Sequence, residues 1–410
     1  MWNPEQLSVL ESSSPFKQVI AGAGSGKTRT MVGLVEKKRE KYNLQQFQVV
    51  TFTKKATQEF LDRLLPGPNL PRVQTFHSFA YQMLLGHYPP WKNRTPRVAT
   101  PEIKTNYLKE FLIKNKWRVG GYPFDFFTYE SGKWFQEEFS ELWVEWSILW
   151  RDIKRKENLC EFEDMLDLLE SGLSETWSVS LKHETRQMIV DEYQDTNPKM
   201  NSILAKLQLE ELTVVGDDWQ AIYSFLGATP EPFLNFPLAF PGTEVLFLRT
   251  NYRSVEKIVR WSVTPLCKNK DKTEKELIPH RKEKGICRIL SYPNFFSFFS
   301  QESPLISSLR MDSVVLVRSH YHAKVWQKMG FPKIQTIHSA KGLEWDKVIV
   351  DLLSPWRTNP EGDDREERRI LYVALSRAKT ELYVLGGGEE GLESVFFREL
   401  NRSCPRAILW

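Results

Sequence analysis

The sequence of 410 residues has only four cysteines, Cys160, Cys267, Cys287 and Cys404, and none stand in C-x-x-C spacing. That scatter supports neither a zinc site nor a disulfide framework, so reduced, structural thiols are expected. No run of about 18 apolar residues occurs, which leaves no candidate for a membrane-spanning helix. The start, MWNPEQLSVL, lacks a basic segment followed by an apolar stretch, so no signal peptide is expected and cytoplasm is the expected compartment. A strong excess of one charge sign is also missing. The net charge of +4 is too small to argue for a nucleic-acid partner by itself, and any such case must come from motifs. With 41% hydrophobic and 26% charged residues the chain is not expected to be disordered, and its length suits two or three domains, each with its own core.

What is present begins with AGAGSGKT, Ala21 to Thr28, placed after the apolar run Phe16 to Ile20 and before a helix expected from about Thr28. Gly22, Gly24 and Gly26 let the backbone curve tightly with its N–H groups turned toward phosphate oxygens, and the following helix adds the positive end of its dipole. In such a loop Lys27 reaches the β- and γ-phosphates of a nucleotide and the Thr28 hydroxyl ligates Mg²⁺. Ala21 replaces the first glycine of the strict pattern, and its small size suffices there. The expected ATP-binding set therefore includes Ala21, Gly22, Ala23, Gly24, Ser25, Gly26, Lys27, Thr28 and Arg29.

A second segment, MIVDEYQDTN (Met188 to Asn197), reads as the end of a buried parallel strand that delivers Asp191 and Glu192 to the carboxyl edge of a sheet, where ligands bind in open α/β folds. Beside a phosphate loop, one carboxylate can hold Mg²⁺ and the other can orient or deprotonate an attacking water. Asp191 is assigned to the metal and Glu192 to the water.

With these two segments and seven more in order, the chain resembles the UvrD/Rep-type helicases of superfamily 1, also called superfamily 1A. Asn3-Pro4-Glu5-Gln6 resembles the element that reads adenine, with Gln6 as the reader. VVTFTKKATQEFLDRL (Val49 to Leu64) and VQTFHSFAYQML (Val73 to Leu84) resemble two motifs that contact single-stranded DNA, which implies such contacts for Phe52, Thr53, Thr75 and His77. In the first of these, Lys54 stands where asparagine is usual and Thr57 where alanine is usual. LTVVGDDWQAIYSFLGA (Leu212 to Ala228) matches the coupling motif; the resemblance makes Gln220 a γ-phosphate sensor and Tyr223 and Phe225 base-stacking aromatics. Trp219 follows its acidic pair, a spelling closer to the helicase IV branch, and Leu226 replaces a commonly basic residue.

LFLRTNYRSVEKIV (Leu246 to Val259) resembles the opening of the second motor lobe, which implies Tyr252 on adenine and Arg253 on the γ-phosphate. IQTIHSAKGLEWDKVIV (Ile334 to Val350) carries seven consecutive matching residues, His338 to Glu344. It implies DNA contacts for Thr336 and His338 and a ribose contact for Glu344. EERRILYVALSRAKTELYVL (Glu366 to Leu385) implies Arg377 as the second γ-phosphate arginine. Two arginines from a second lobe would stabilise charge on the transferring phosphoryl group only when the lobes close, which joins hydrolysis to lobe motion.

The resemblance implies an α/β fold of two RecA-like parallel-sheet motor lobes with a helical insertion in the first. The expected boundaries are 1–87 and 159–245 for the first lobe, 88–158 for the insertion and 246–410 for the second lobe. The insertion is rich in tryptophan (Trp91, Trp117, Trp134, Trp143, Trp146, Trp150), and Trp134 to Lys156 reads as an amphipathic helix whose stripe is core, with one exposed tryptophan at a duplex junction as the sharper reading. The family's large second insertion is essentially absent, because SVVLVRS and HYHAKVWQKMG lead directly into the H-S-A-K-G-L-E motif. The charged stretch Lys268 to Lys284 reads as a solvated loop and helix, with a phosphate-contacting patch as the alternative. No nuclease segment is expected after the last motif.

These readings imply an ATP- and Mg²⁺-dependent DNA helicase or translocase that moves 3′ to 5′ on single-stranded DNA and acts at duplex junctions, with no membrane partner. A regulatory subunit whose ATPase is stimulated by DNA, working with a protein partner such as a nuclease or a replication or repair factor, is the alternative. RNA unwinding is less expected.

Overall fold

A computed structural model of the chain describes residues 1–39, 46–114, 140–300, 304–354, 356, 364–388, 394–403 and 407–409. The first strands are β1 (Phe16–Ala21), β2 (Phe47–Thr51), β3 (Arg72–Thr75), β4 (Arg97–Val98), β5 (Leu159–Cys160), β6 (Gln187–Val190), β7 (Glu211–Gly216) and β8 (Glu244–Leu248). They are followed by β9 (Thr250–Val255), β10 (Ile278–Arg281), β11 (Ile286–Ser291), β12 (Val314–Val317), β13 (Ile334–Thr336), β14 (Trp345–Asp351), β15 (Ala378–Gly386) and β16 (Ala407–Leu409). Two six-stranded sheets result, ordered β3-β2-β6-β7-β1-β8 and β13-β12-β14-β15-β11-β16. Every pairing in both is parallel.

A parallel sheet needs apolar cover on both faces, and the two-residue period of a strand supplies it. In the first sheet Ile20, Val50, Val190 and Val214 enter one core cluster, while their neighbours Val19, Val49, Ile189 and Val215 enter another. The second sheet divides in the same way: Leu316, Val348, Val350, Leu382 and Val384 face one cluster and Val315, Val317, Ile349, Tyr383 and Leu385 the other. The uninterrupted apolar runs in the sequence are these two-faced strands.

Three boundaries differ from the expected ones. β8 pairs with β1 from Lys17↔Glu244 to Ala21↔Leu248, so residues 246–248 complete the first sheet and the crossing to the second lobe follows Leu248. Trp91, expected in the insertion, packs in the first lobe's core beside Phe79, Met83 and Met165. The insertion proper begins at β4, which pairs with β5, so β5 closes its neck rather than opening the returning lobe. Its own small core joins Leu108, Phe111 and Leu112 of the helix Pro101–Lys114 to Trp146 and Trp150 of the helix Ser140–Glu157. These two tryptophans are 1% and 5% exposed and stack with centroids 5.6 Å apart. Trp117, Trp134 and Cys404 lie outside the described residues.

At the neck, the Glu161 carboxylate accepts from Lys104 Nζ (2.8 Å), Lys154 Nζ (3.0 Å) and Trp150 Nε1 (2.9 Å). Burial alone would raise its pKa, but these donors and their charges hold it below the ordinary 4.5. A depressed carboxylate contributes stability that is complete above its unfolded pKa and lost as pH falls through the folded one. Glu161→Gln is therefore expected to lower the thermal midpoint at pH 7 by the equivalent of about 1 kcal/mol. Scanned toward acid, the gap to the wild type should shrink; a constant gap would assign the loss to packing.

In the second lobe β12 is followed by the helix His320–Lys328 and then, after residues 329–333, by β13, so no large insertion stands there. The charged stretch is the main correction to the sequence reading. No helix forms within 269–284; the chain runs extended into β10, and the Lys275 side chain is completely buried. The cause is a pair of buried carboxylates, Asp217 and Asp218, which draw that lysine inward. Among the described residues no helix is long and apolar enough to cross a membrane.

Candidate nucleotide cleft and nucleic-acid interface

β1 ends at the buried Ala21, and the Gly22 N–H donates to Leu248 O at 2.9 Å. Gly24 and Gly26 take φ of +67° and +80°, the region where glycine is at little cost. Space also demands glycine: a Cβ on Gly24 would stand 2.6 Å from Arg253 Cβ, and one on Gly22 would stand 2.3 Å from Leu277 Cδ2. The second lobe thus lies directly on the loop. Asn251 Nδ2 donates to Ala23 O (2.7 Å) and Tyr252 N–H to Gly24 O (2.9 Å). The Ser25 hydroxyl is buried without a hydrogen-bond partner. A glycine cradle at the start of the helix Lys27–Arg39, with an orphaned hydroxyl, suits a phosphate chain.

β6 delivers Asp191, whose N–H donates to Val50 O at 2.8 Å. Glu192 follows at φ +53°, ψ +42°, a left-handed conformation that costs a non-glycine residue about 1–3 kcal/mol. The cost turns its carboxylate onto Lys27 Nζ, 2.9 and 3.1 Å from its two oxygens. Burial would raise Glu192, but Lys27 and Lys341 hold it well below the usual carboxylate range. Asp191 is pushed the other way by burial and by the charge of Glu192. Lys27 is held above its ordinary value against burial by Glu192, Asp217 and Asp191. Adjacent carboxylates with opposite shifts are suited to separate roles. Among the described residues no group of three or more His, Cys, Asp and Glu side chains is arranged to hold a metal. Thr28 and Asp191 beside a phosphate loop fit Mg²⁺, which takes one or two protein ligands and completes its shell with phosphates and water.

Facing these groups across a cleft of about 600 Å³ are Tyr252, Arg253, Glu344 and Arg377. Arg377 is 1% exposed and donates to Val373 O (3.0 Å), Leu343 O (3.3 Å), Ser376 Oγ (3.0 Å) and Gln220 Oε1 (3.0 Å). Burial and the nearby Arg253 lower its pKa to about 9, so it remains a cation at neutral pH. Arg253 Nε donates to Glu344 at 2.6 Å, and Lys379 Nζ reaches the same carboxylate at 3.1 Å. The Tyr252 hydroxyl accepts from Asn3 Nδ2 at 2.8 Å, and its ring packs on His280 with centroids 4.7 Å apart.

Of three expected ligands, Gln6 stays beside the loop with its amide engaged, while Arg29 and Thr53 take other positions. Gln6 is buried, and both ends of its amide are engaged: Oε1 accepts from Asn3 N–H (3.1 Å) and Nε2 faces Ser25 O (3.5 Å), because Asn3 and Gln6 form the capping box of the helix Pro4–Glu11. Arg29 turns away from the cleft, donates to Met1 O and stacks 4.7 Å over the Trp2 ring. Thr53, expected on DNA, lines the nucleotide cleft instead and caps the helix Lys54–Arg63 by accepting from Ala56 N–H.

At the carboxyl ends of the strands an aromatic group crosses between the lobes. Phe52 stacks on Tyr223 (5.3 Å, 19°), and Phe225, 41% exposed, meets His338 edge-on at 5.3 Å. Tyr223 also lies 6.2 Å from His338. Half-buried aromatic faces at a sheet edge suit sequence-tolerant base stacking. His77 packs on the exposed Phe162 at 5.1 Å. Thr75 caps the helix Phe76–His87 by accepting from Ser78 N–H, and the buried Thr336 caps a local turn by accepting from Ser339 N–H.

Lys341 escaped the sequence reading. It donates to Asp195 Oδ2 (2.5 Å) and to Gln220 O (2.7 Å) and lies 4.7 Å over the Tyr223 ring, touching the cleft and the aromatic group together. Its place inside the seven matching residues was the available signal.

A family model described as an AAA domain matches residues 6–226, more than half of the chain, and one described as a UvrD-like helicase C-terminal domain matches residues 322–386. The chain belongs to the UvrD-like superfamily 1 helicases. This UvrD-like chain is 29% identical over 316 residues to the putative ATP-dependent DNA helicase YjcD of Bacillus subtilis (strain 168), an alignment covering 71% of the chain and 41% of the relative. It is 24% identical over 366 residues to the ATP-dependent DNA helicase Rep of Buchnera aphidicola subsp. Acyrthosiphon pisum (strain APS), covering 80% and 55%. To DNA helicase IV of Escherichia coli (strain K12) it is 24% identical over 485 residues, covering 93% and 68%. The chain spans about half the length of most curated relatives it matches.

Proposed function

We propose that this chain is an ATP-dependent DNA helicase or translocase that moves 3′ to 5′ along single-stranded DNA. Membership of the UvrD-like family and the names of its relatives support the activity class. One observation carries the mechanism. The loop after β7 presents Gln220 to Arg377 in the cleft and, three residues later, Tyr223 to Phe52 in the aromatic group. In this reading a change at Gln220 reaches a base-stacking surface three residues away along the chain.

In this reading Lys27, the loop N–H groups, Arg253 and Arg377 bind and orient the phosphates, with Tyr252 and Glu344 near the nucleoside. Glu192 accepts the proton of the attacking water. Mg²⁺, held by Thr28 and Asp191, would neutralise charge on the phosphates. Lobe approach and retreat about the cleft lets Phe52, Tyr223, Phe225 and His338 regrip single-stranded DNA. The test uses matched duplexes with a 3′ or a 5′ single-stranded tail, ATP and Mg²⁺. Separation only from the 3′ tail is the expected result. Hydrolysis stimulated by DNA without separation would favour a translocase that needs a protein partner, and hydrolysis indifferent to DNA would sink the reading.

A further inference from the structure

The charged stretch of the second lobe contains a lysine that nothing in the proposed chemistry uses. The side chains of Lys275, Asp217 and Asp218 are all 0% exposed. Lys275 Nζ stands 2.7 Å from Asp217 Oδ1, 2.9 Å from Asp218 Oδ1 and 4.5 Å from the centroid of the Trp219 ring. The backbone closes the same knot: Thr273 N–H donates to Asp218 Oδ2 (2.7 Å), and Trp219 Nε1 donates to Thr273 O (3.0 Å). A solvated charge run would spend no burial on such a group.

The knot has two continuations, and both reach the cleft. Asn269 Nδ2 donates to Arg365 O (3.0 Å) and Arg369 Nη2 to Asp271 O (2.8 Å), which fastens the strap to the helix Arg365–Leu375 that leads to Arg377. On the other side Asp217 Oδ2 accepts from Gln220 Nε2 at 2.6 Å, and Gln220 Oε1 accepts from Arg377 Nη2 at 3.0 Å. A side-chain amide can present either end, but a carboxylate accepts only. Asp217 therefore fixes which end of Gln220 faces the cleft, provided Asp217 itself cannot swing. Lys275 shares its other oxygen with the Trp219 backbone N–H (2.7 and 3.2 Å) and alone balances its charge, where both side chains are fully buried.

We propose that Lys275 is a positioning residue for ATP hydrolysis: by pinning Asp217 it holds the Gln220 amide with its oxygen toward Arg377 and the γ-phosphate. Trp219, the unusual residue of the coupling motif, is the apolar wall that lets the ammonium sit there. This rests on the cleft being an ATP site, as proposed above.

Two variants test it, because removing the cation alone leaves two buried carboxylates and endangers folding. Lys275→Met with Asp218→Asn keeps the charge of the knot, since one cation against two carboxylates becomes none against one. Lys275→Arg keeps the cation but replaces a compact ammonium by a planar fork of different reach. Thermal unfolding, equilibrium binding of ATP and ADP, and steady-state hydrolysis with single-stranded DNA are measured for each. The double variant should bind ADP within about threefold of the wild type, lose most of its preference for ATP over ADP and drop kcat about tenfold or more at little changed KM. Lys275→Arg should lose about threefold in kcat and in that preference at an unchanged unfolding midpoint. A merely structural lysine would move the unfolding midpoint and leave both readouts intact. Wild-type kcat and wild-type ATP-to-ADP preference in a folded double variant would overturn the proposal; should that variant not fold, the same result in Lys275→Arg overturns it. A wild-type protein that fails to hydrolyse ATP in response to DNA would instead remove the functional reading, with the ATP-to-ADP preference still reporting on the pin.

Discussion

Glu192→Gln is expected to bind ATP within a few-fold of the wild type and to hydrolyse it about 10³-fold more slowly, the usual cost of losing a positioned general base. The substitution removes the proton acceptor, the charge and one of the two oxygens that face Lys27, while the phosphate loop itself is untouched. Both Glu192 oxygens lie against Lys27, and one also accepts from Gln194 Nε2 at 2.6 Å. A glutamine fills the same volume and keeps one accepting oxygen for Lys27. Its amide nitrogen, unlike a carboxylate held ionised by two lysines, has no lone pair to take a proton from water. Single-turnover hydrolysis set beside equilibrium nucleotide binding measures the two effects separately. A rate within tenfold of the wild type would take the base role away from Glu192.

Arg377→Lys should be as severe, with kcat falling about 10³-fold, at the low end of the range for lost phosphate-stabilising arginines. Arg377 spreads its fork over Val373 O, Leu343 O, Ser376 Oγ and Gln220 Oε1, and its partners belong to both lobes. An ammonium concentrates three donors at one point and cannot span them. Because Gln220 lies three residues from the aromatic group, the defect should appear as lost stimulation as well as lost rate. The ratio of hydrolysis with and without single-stranded DNA should fall toward one. A slow enzyme with an undiminished ratio would place Arg377 in binding alone.

The sequence spoke clearly where chemistry is local. A strand, three glycines, Lys27 and Thr28 are consecutive, and the apolar run before Asp191 could only deliver it to a sheet edge; the cleft brings these groups together. The resemblance makes the threonines DNA ligands, although a threonine three residues before a turn or helix N–H is equally a cap: Thr53 and Thr75 cap helices and Thr336 a turn. Arg29 follows the loop in sequence but is drawn to Trp2 by an aromatic face the motif does not include. Lys275 was illegible for a different reason. Its partners lie 57 and 58 residues away, and a run of alternating charges carries no mark of which one finds a buried carboxylate. The boundary at β8 failed likewise, since the motif that opens the second lobe begins inside the last strand of the first.

Ala23, Trp219 and Ile222 belong by chain position to the first lobe, yet they are packed in the apolar core of the second with Ile258, Leu277, Val348 and Tyr372. The unit of architecture and the unit of folding therefore do not coincide. A fragment cut after Leu248 would retain a complete parallel sheet but would expose the Trp219 face and strip Asp217 and Asp218 of their cation. Its counterpart would keep a lysine with no carboxylate and a core missing three of its side chains. The two halves of this chain are complementary parts of one packed body, and gene fission between them would be tolerated only if both pieces were made together and found each other.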